Sequence, residues 1–199
     1  MQTILFTHSY FLRFDPKQWD LGQPYPPLGP LYAAALVREN GYPVSFFDTM
    51  FEKTADAAIA RLDQHQPDFF VIYDDGFNYL TKMCLTNMRE AAFRMIALAK
   101  ERGCTVIVSS SDSTDHFENY LNKGADFILI GEGEHTLLEL INSIKNGEKD
   151  FSQIEGIAYK HRGAVIKTPR RKVLRDLDLL PFPAWDLADI NPYRNMWMK

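Results

Sequence analysis

The run Gly131-Glu132-Gly133-Glu134 alternates two residues that lack side chains with two carboxylates. Glycine reaches backbone conformations closed to other residues and lets a ligand approach the main chain. Carboxylates accept hydrogen bonds from amide or hydroxyl donors. Negative charge at Glu134 also suits the start of the helical pattern that follows it. Helix capping accounts for Glu134 but not for the alternation; a ligand bearing amide or hydroxyl donors accounts for both. Three further stretches carry groups of this kind. SSSDSTD (residues 109–115) offers Ser109, Ser110, Ser111 and Asp112, whose small polar side chains either serve a closely approaching ligand or make ordinary turns. Asp74 and Asp75, ahead of Gly76, Phe77 and Asn78, could bind a cation or cap the next segment through Asx turns. The capping reading is preferred, because no third oxygen ligand is evident. Residues 8–29 hold Tyr10, Phe11, Phe14, Trp19 and Tyr25, and Pro24, Pro26, Pro27 and Pro30 stiffen the run into the next helix. A loop of about twenty residues is usually functional or disordered. This one is too aromatic for disorder, so it is either a lid over the sheet's own apolar edge or a wall for a large, flat ligand.

Familiar catalytic patterns are missing. His8, His65, His116, His135 and His161 are scattered, and none stands in H-x-x-x-H or H-E-x-x-H. No G-x-S-x-G is present, and no nucleotide-binding glycine loop follows the first apolar run. Cys84 and Cys104 are the two cysteines and form no C-x-x-C, as expected of a reduced, cytoplasmic protein without a structural disulfide. A net charge of -4 argues against nucleic acid as the main partner. No apolar run is long enough for a membrane span, and the start lacks the basic region and cleavage site of a signal peptide. The basic stretch of Lys160, Arg162, Lys167, Arg170, Arg171, Lys172 and Arg175 is read as a solvated linker face.

The elements that must position these groups alternate between strand and helix. Apolar runs at 3–8, 43–48, 67–75, 104–111 and 125–134 read as strands. Helical patterns lie at 28–40, at 53–66 with Thr54 as N-cap, at 87–102, around 116–122 and from His135 onward. Five apolar strands separated by helices imply an α/β fold: a Rossmann-like (flavodoxin-like) five-stranded parallel sheet in the order 2-1-3-4-5, helices on both faces, over residues 1–150. Ligands then bind beyond the carboxyl ends of the strands, where all the stretches above fall. Residues 151–199 read as a β-hairpin turning at Arg162 and Gly163, then a proline-punctuated linker without a helix of useful length. The aromatics of that linker, Phe182, Trp185, Tyr193 and Trp197, need something to pack against, and the chain is expected to continue beyond Lys199.

Four segments recur in an order that resembles a known family: PYPPLGPLYAAALVRENGYPVSFFD, GADFILIGEGEHTLLEL, IEGIAYKHRGAVI and LDLLPFPAWDL. Together they span nearly the whole chain and resemble the N-terminal part of cobalamin-binding radical S-adenosylmethionine enzymes, the group that includes the anaerobic Mg-protoporphyrin ester cyclase. The resemblance implies a cobalamin-binding domain whose corrin lies over the strand ends, the nucleotide tail descending beside the sheet. The cofactor-binding residues it implies are Tyr10, Phe11, Pro27, Leu28, Gly29, Tyr73, Asp74, Ser109, Ser110, Ser111, Asp112, Gly131, Glu132, Gly133 and Glu134. A side chain at Gly133 is expected to collide with the close-lying ligand and to spare the fold.

The motif D-x-H-x-x-G, whose histidine ligates cobalt in mutase-type domains, is absent, so no protein histidine is expected on cobalt. Ser110 and Ser111 stand where relatives often carry a glycine pair, a departure that bears on how the tail is accommodated. The cluster motif C-x-x-x-C-x-x-C is also absent. The 4Fe-4S cluster, the S-adenosylmethionine and the catalytic barrel would therefore belong to the full-length protein, in methyl transfer or radical cyclisation, and this stretch should be inactive by itself. Two other functions compete. One is a substrate- or partner-binding module of the same fold that has lost cobalamin. The other is a phosphorylated receiver-type regulator using Asp74 and Asp75, disfavoured because receivers keep a lysine at the fifth strand exit.

Overall fold

The computed structural model describes residues 2–74 and 85–198. Five short runs form the parallel strands β1 (Ile4–Thr7), β2 (Val44–Phe47), β3 (Phe69–Tyr73), β4 (Thr105–Ser109) and β5 (Phe127–Leu129). They stand in the order β2-β1-β3-β4-β5, as the alternation of elements predicts. Successive side chains of a strand point to opposite faces, and the core divides accordingly. Leu5, Phe70, Ile72, Val106, Val108 and Ile128 enter one apolar layer. Ile4, Phe6, Phe69, Val71, Ile107 and Leu129 enter the other. Burial on both faces is why these strands read as unbroken apolar runs.

The helices are α1 (Pro16–Leu21), α2 (Leu28–Glu39), α3 (Ala58–His65), α4 (Leu85–Glu101), α5 (Ser111–Asp115), α6 (Phe117–Asn122), α7 (Glu134–Lys145) and α8 (Asn191–Trp197). Ala58 and Leu62 of α3, Met95 and Ile96 of α4, and Tyr120 and Leu121 of α6 cover the first layer. Ala33, Ala34 and Val37 of α2 and Leu137, Leu140 and Ile141 of α7 cover the second. The chain leaves β1 toward β2 on one side and returns to β3 on the other. That reversal opens a crevice at the carboxyl edge.

The predicted hairpin forms as β6 (Ile157–His161) and β7 (Ala164–Lys167). Arg162 and Gly163 take positive φ values of 49° and 85°, as a tight two-residue turn requires. β6 pairs antiparallel with β5, so that among the described residues the sheet has seven strands, in the order β2-β1-β3-β4-β5-β6-β7. The pairing covers the otherwise open edge of β5.

Three expectations need correction. Thr54 makes no side-chain cap; a 3-10 turn at Ala55–Ala57 precedes α3. The fourth strand stops at Ser109 rather than at Ser111, since Ser110 and Ser113 exchange hydrogen bonds in a capping box that starts α5. The C-terminal linker does hold a helix, α8, too short for its periodicity to register and secured by packing of Tyr193 and Met196 against Tyr10, Leu12 and Met50.

The aromatic loop contains its own short helix, α1, with Asp15 accepting from Gln18 N–H at 3.1 Å, Pro16 in the first turn and Gly22 at φ 64° closing it. Phe11 is fully buried in the first core layer and stacks on Phe14. Phe11→Ala should therefore cost about 3–5 kcal/mol of folding free energy, read from urea unfolding of the ligand-free protein.

Candidate ligand-binding edge

Each functional group sits where a strand ends. At the exit of β1, His8 is buried, with Nε2 2.8 Å from Asp48 Oδ1 at the exit of β2. The Thr49 hydroxyl lies 3.2 Å from His8 Nδ1 and donates to the His8 carbonyl at 2.8 Å. Asp48 also accepts from Met50 N–H at 2.9 Å and from the Tyr193 hydroxyl at 2.6 Å. Burial works to raise the Asp48 pKa, but the bonds from His8, Tyr193 and Met50 outweigh it and hold the carboxyl below its ordinary value. Burial and the Asp48 charge push the Tyr193 hydroxyl far up, so it remains a donor.

Across the reversal between β1 and β3, Asp74 accepts from Ser9 N–H at 2.6 Å and from the Ser9 hydroxyl at 2.8 Å. These bonds oppose the effect of burial, which still leaves the Asp74 pKa raised. Asp74 thus fastens one strand exit to the next across 65 positions, rather than capping the segment that follows it. Asp75, Gly76, Phe77 and Asn78 lie outside the described residues.

At the exits of β3, β4 and β5, Tyr73, Ser109, Gly133 and Glu134 come together. The Tyr73 hydroxyl donates to Glu134 Oε1 at 2.8 Å. Burial first, then the Glu134 charge, raises its pKa well above the ordinary tyrosine value. A Cβ at Gly133 would stand 2.9 Å from the Tyr73 hydroxyl, 3.0 Å from Leu129 Cδ1 and 3.0 Å from Ser109 Oγ. The expected collision at Gly133 is therefore with the protein itself, and the glycine exists to admit Tyr73 and Ser109. Gly131 behaves differently: its φ is 88° and nothing lies within 4 Å of where a Cβ would be. Glu132, expected as a rim acceptor for a ligand, accepts Leu174 N–H at 2.9 Å.

Asp112 is likewise engaged from within. Arg89 donates to it through two nitrogens, at 2.7 and 2.5 Å, and the Tyr120 hydroxyl donates at 2.7 Å. Burial alone would raise its pKa, and these bonds reverse the direction. Ser111 at the start of α5 is exposed. On the proline loop, Pro27 is buried and Gly29 half-buried in the first turn of α2, while Tyr25 and Leu28 are 36% and 40% exposed. Tyr10 and Phe11 lie inside the protein. The lid reading describes those two, and Tyr25 and Leu28 are what the loop turns outward. In the basic stretch, Arg170, Lys172 and Arg175 are exposed, whereas Arg171 is bonded to Thr136 and Glu139 of α7.

The chain His8–Asp48–Tyr193 was not visible in the sequence. His8 and Asp48 do follow strand ends directly, a positional signal that could have paired them; Tyr193 offered none. Among the described residues no group of three or more His, Cys, Asp or Glu could hold a metal ion, and no helix is long and apolar enough to cross a membrane.

Sheet order and site together define a flavodoxin-like α/β domain with its polar groups gathered at the carboxyl edge. No protein-family model matches the chain. It is 28% identical to the anaerobic magnesium-protoporphyrin IX monomethyl ester cyclase of Synechocystis sp., over 84% of this chain and 33% of that protein. It is 27% identical to an uncharacterized methyltransferase of Pyrococcus horikoshii, over 87% of this chain and 36% of that protein. The chain thus spans about a third of the length of these relatives.

Among solved structures, the cobalamin-dependent S-adenosylmethionine radical enzyme OxsB with aqua-cobalamin bound matches with a TM-score of 0.72 and 19% identity, over 98% of this chain and 25% of that one. The radical S-adenosylmethionine methyltransferase TsrM from Kitasatospora setae, with cobalamin and a 4Fe-4S cluster bound, matches with a TM-score of 0.62 and 15% identity, over 89% of this chain and 30% of that one. The fold and the resemblance drawn from the ordered motifs are both borne out.

Two outcomes follow from this geometry. Gly133→Val should destabilise the ligand-free protein by about 2 kcal/mol through overpacking against Tyr73 and Ser109. Gly131→Ala should cost about 1 kcal/mol, for its left-handed backbone only. Urea unfolding of both variants separates the two. Because the folded Asp48 pKa is depressed, its contribution to stability is present above the unfolded value of about 4 and is lost as pH falls through the folded value. Asp48→Asn should therefore flatten the acid limb of a stability–pH profile measured by urea unfolding, while lowering stability at neutral pH.

Proposed function

We propose that the chain is the cobalamin-binding domain of a radical S-adenosylmethionine enzyme, with the corrin resting on the carboxyl edge of the sheet. The observation that carries this reading is the likeness over 98% of the chain to OxsB with aqua-cobalamin bound, joined to homology with the ester cyclases.

The residues at the edge suit the group at its rim. A corrin needs apolar contact across its face and polar partners for its amide arms. Leu28 and Tyr25 supply the first. The Ser111 hydroxyl and the open backbone at Gly131 supply the second. Pro27 and Gly29 hold Leu28 in the first turn of α2, and Ser110 fixes Ser111 through the capping box. Phe11, Tyr10, Asp74, Asp112 and Gly133 act beneath the surface by setting these positions. Bound cobalamin would supply a methyl carrier or a redox-active cobalt; the chain would bind it, orient it and keep water from one face. His8 would not reach cobalt, since it is buried and held by Asp48 and Thr49. The iron–sulfur cluster, S-adenosylmethionine and a choice between methyl transfer and cyclisation would belong to a barrel that residues 151–199 lead toward.

A second reading, a module of the same fold that has lost cobalamin, is favoured by one feature: Tyr73 and Ser109 fill the space beside Gly133 that a deeply seated tail would use.

Titration of hydroxocobalamin into the protein, followed by its visible spectrum, decides between them. The first reading expects saturable binding, weakened about tenfold by Leu28→Asp through loss of roughly 1.5 kcal/mol of apolar contact. His8→Gln, which can keep a bond to Asp48, should leave the bound spectrum unchanged. Absence of binding by the unaltered protein would favour the second reading.

A further inference from the structure

The proline loop that presents Tyr25 and Leu28 has few main-chain donors with which to fix its position. Between Gly22 and Leu28, Pro24, Pro26 and Pro27 have no N–H to donate, so main-chain bonding there is thin by composition. One anchor comes from the far end of the chain. Trp197 Nε1 donates to the Pro24 carbonyl at 2.6 Å. One turn earlier on the same face of α8, the Tyr193 hydroxyl donates to Asp48 Oδ2 at the exit of β2. Between them, Met196 lies against Gly22, where an added Cβ would meet Met196 Cγ at 3.9 Å.

Tyr193 and Met196 of the same helix share an apolar cluster with Tyr10, Leu12 and Trp19 of the loop and with Met50 beyond β2. A seven-residue helix is not stable by itself in water, so these contacts hold α8 and the loop against each other. The segment reaches this position along a tethered path. Leu174 N–H bonds Glu132, Ala184 N–H bonds the Leu31 carbonyl at 3.1 Å, and Asp186 receives two nitrogens of Arg38.

We propose that Tyr193 and Trp197 are positioning residues for the ligand-binding edge: α8 clasps the proline loop and the β2 exit, and thereby sets where Tyr25 and Leu28 stand. The ligand consequence rests on the cobalamin reading; the clasp does not. Trp197 is more than half exposed, so its contribution lies in the single N–H it donates rather than in burial.

The test uses Trp197→Phe and Tyr193→Phe, which remove one donor each and keep a ring, together with the double variant. Amide hydrogen exchange of Gly22, Gln23 and Tyr25 is measured in the ligand-free protein beside that of β1, β3 and β4, and hydroxocobalamin affinity is measured by visible titration. Loss of one hydrogen bond should speed exchange of the loop amides and raise the cobalamin Kd about fivefold each. Trp197→Phe should leave strand protection and the urea midpoint nearly unchanged, while Tyr193→Phe, which takes a donor from buried Asp48, should lower the midpoint as well and still accelerate the loop amides more than the strands. Unchanged loop exchange would overturn the clasp. So would a uniform rise across the strands, which would mark the two residues as general stabilisers. Faster loop exchange with an unaltered Kd would overturn their role in positioning the ligand edge. Should the unaltered protein bind no cobalamin, the functional reading fails and the exchange measurement still decides the clasp.

Discussion

Burial of the central strands on both faces is the constraint from which the remaining architecture follows. Leu5 enters one apolar layer, and Ile4 and Phe6 enter the other. Neither face of β1 can therefore lie open, and a helical layer must cover each. Side chains on both faces being committed to packing, polar chemistry is left with the strand ends. The helices that supply the covers begin at the carboxyl edge, so that edge collects the turns, the caps and the loops. Thr7, His8 and Ser9 are buried polar residues in direct succession to buried apolar ones, and the change of character marks the edge.

Buried polar groups at such an edge must be satisfied or they destabilise the fold. Here, His135 Nε2 apart, most satisfy one another across neighbouring segments of the edge. His8 meets Asp48, Ser9 meets Asp74, Tyr73 meets Glu134, and Arg89 meets Asp112. Each pair joins segments well apart in sequence, so the edge is a stitched seam rather than a row of independent loops. What the edge turns outward is exposed Ser111, the open backbone at Gly131, and Tyr25 and Leu28 of the proline loop.

Much of the fold was legible in the residues because apolar runs of strand length separated by helical patterns have few other solutions. The sheet order and the hairpin turn followed from that alternation and from the Arg162–Gly163 pair. Attachment of the hairpin to β5 was not legible, since edge pairing is a main-chain interaction that no side-chain pattern announces. The two glycines of the GEGE run stand out in the sequence as a place of close approach, and at Gly133 the groups that approach are Tyr73 and Ser109 from other strands. Asp112 and Glu132 had the right chemistry for a ligand and proved to be engaged by Arg89, Tyr120 and Leu174. The Tyr193–Asp48 bond spans 145 positions, and α8 is too short to show a period. Contacts of that kind exist only once the chain has folded.

The direction of β6 carries a consequence of its own. After α7 descends along the sheet, residues 146–156 climb back beside it, with Phe151 against Phe127 and Ile154 buried in the second layer. β6 then runs down and β7 runs up, so the excursion ends level with its start, and Gly156 N–H meets the Pro169 carbonyl at 2.7 Å. Two strands is an even number. With one strand the following segment would have emerged at the amino edge, some 15 Å away for a five-residue strand. Parity thus delivers residues 170–198 to the side of the molecule where the strand ends lie, and places α8 within reach of Pro24 and Asp48.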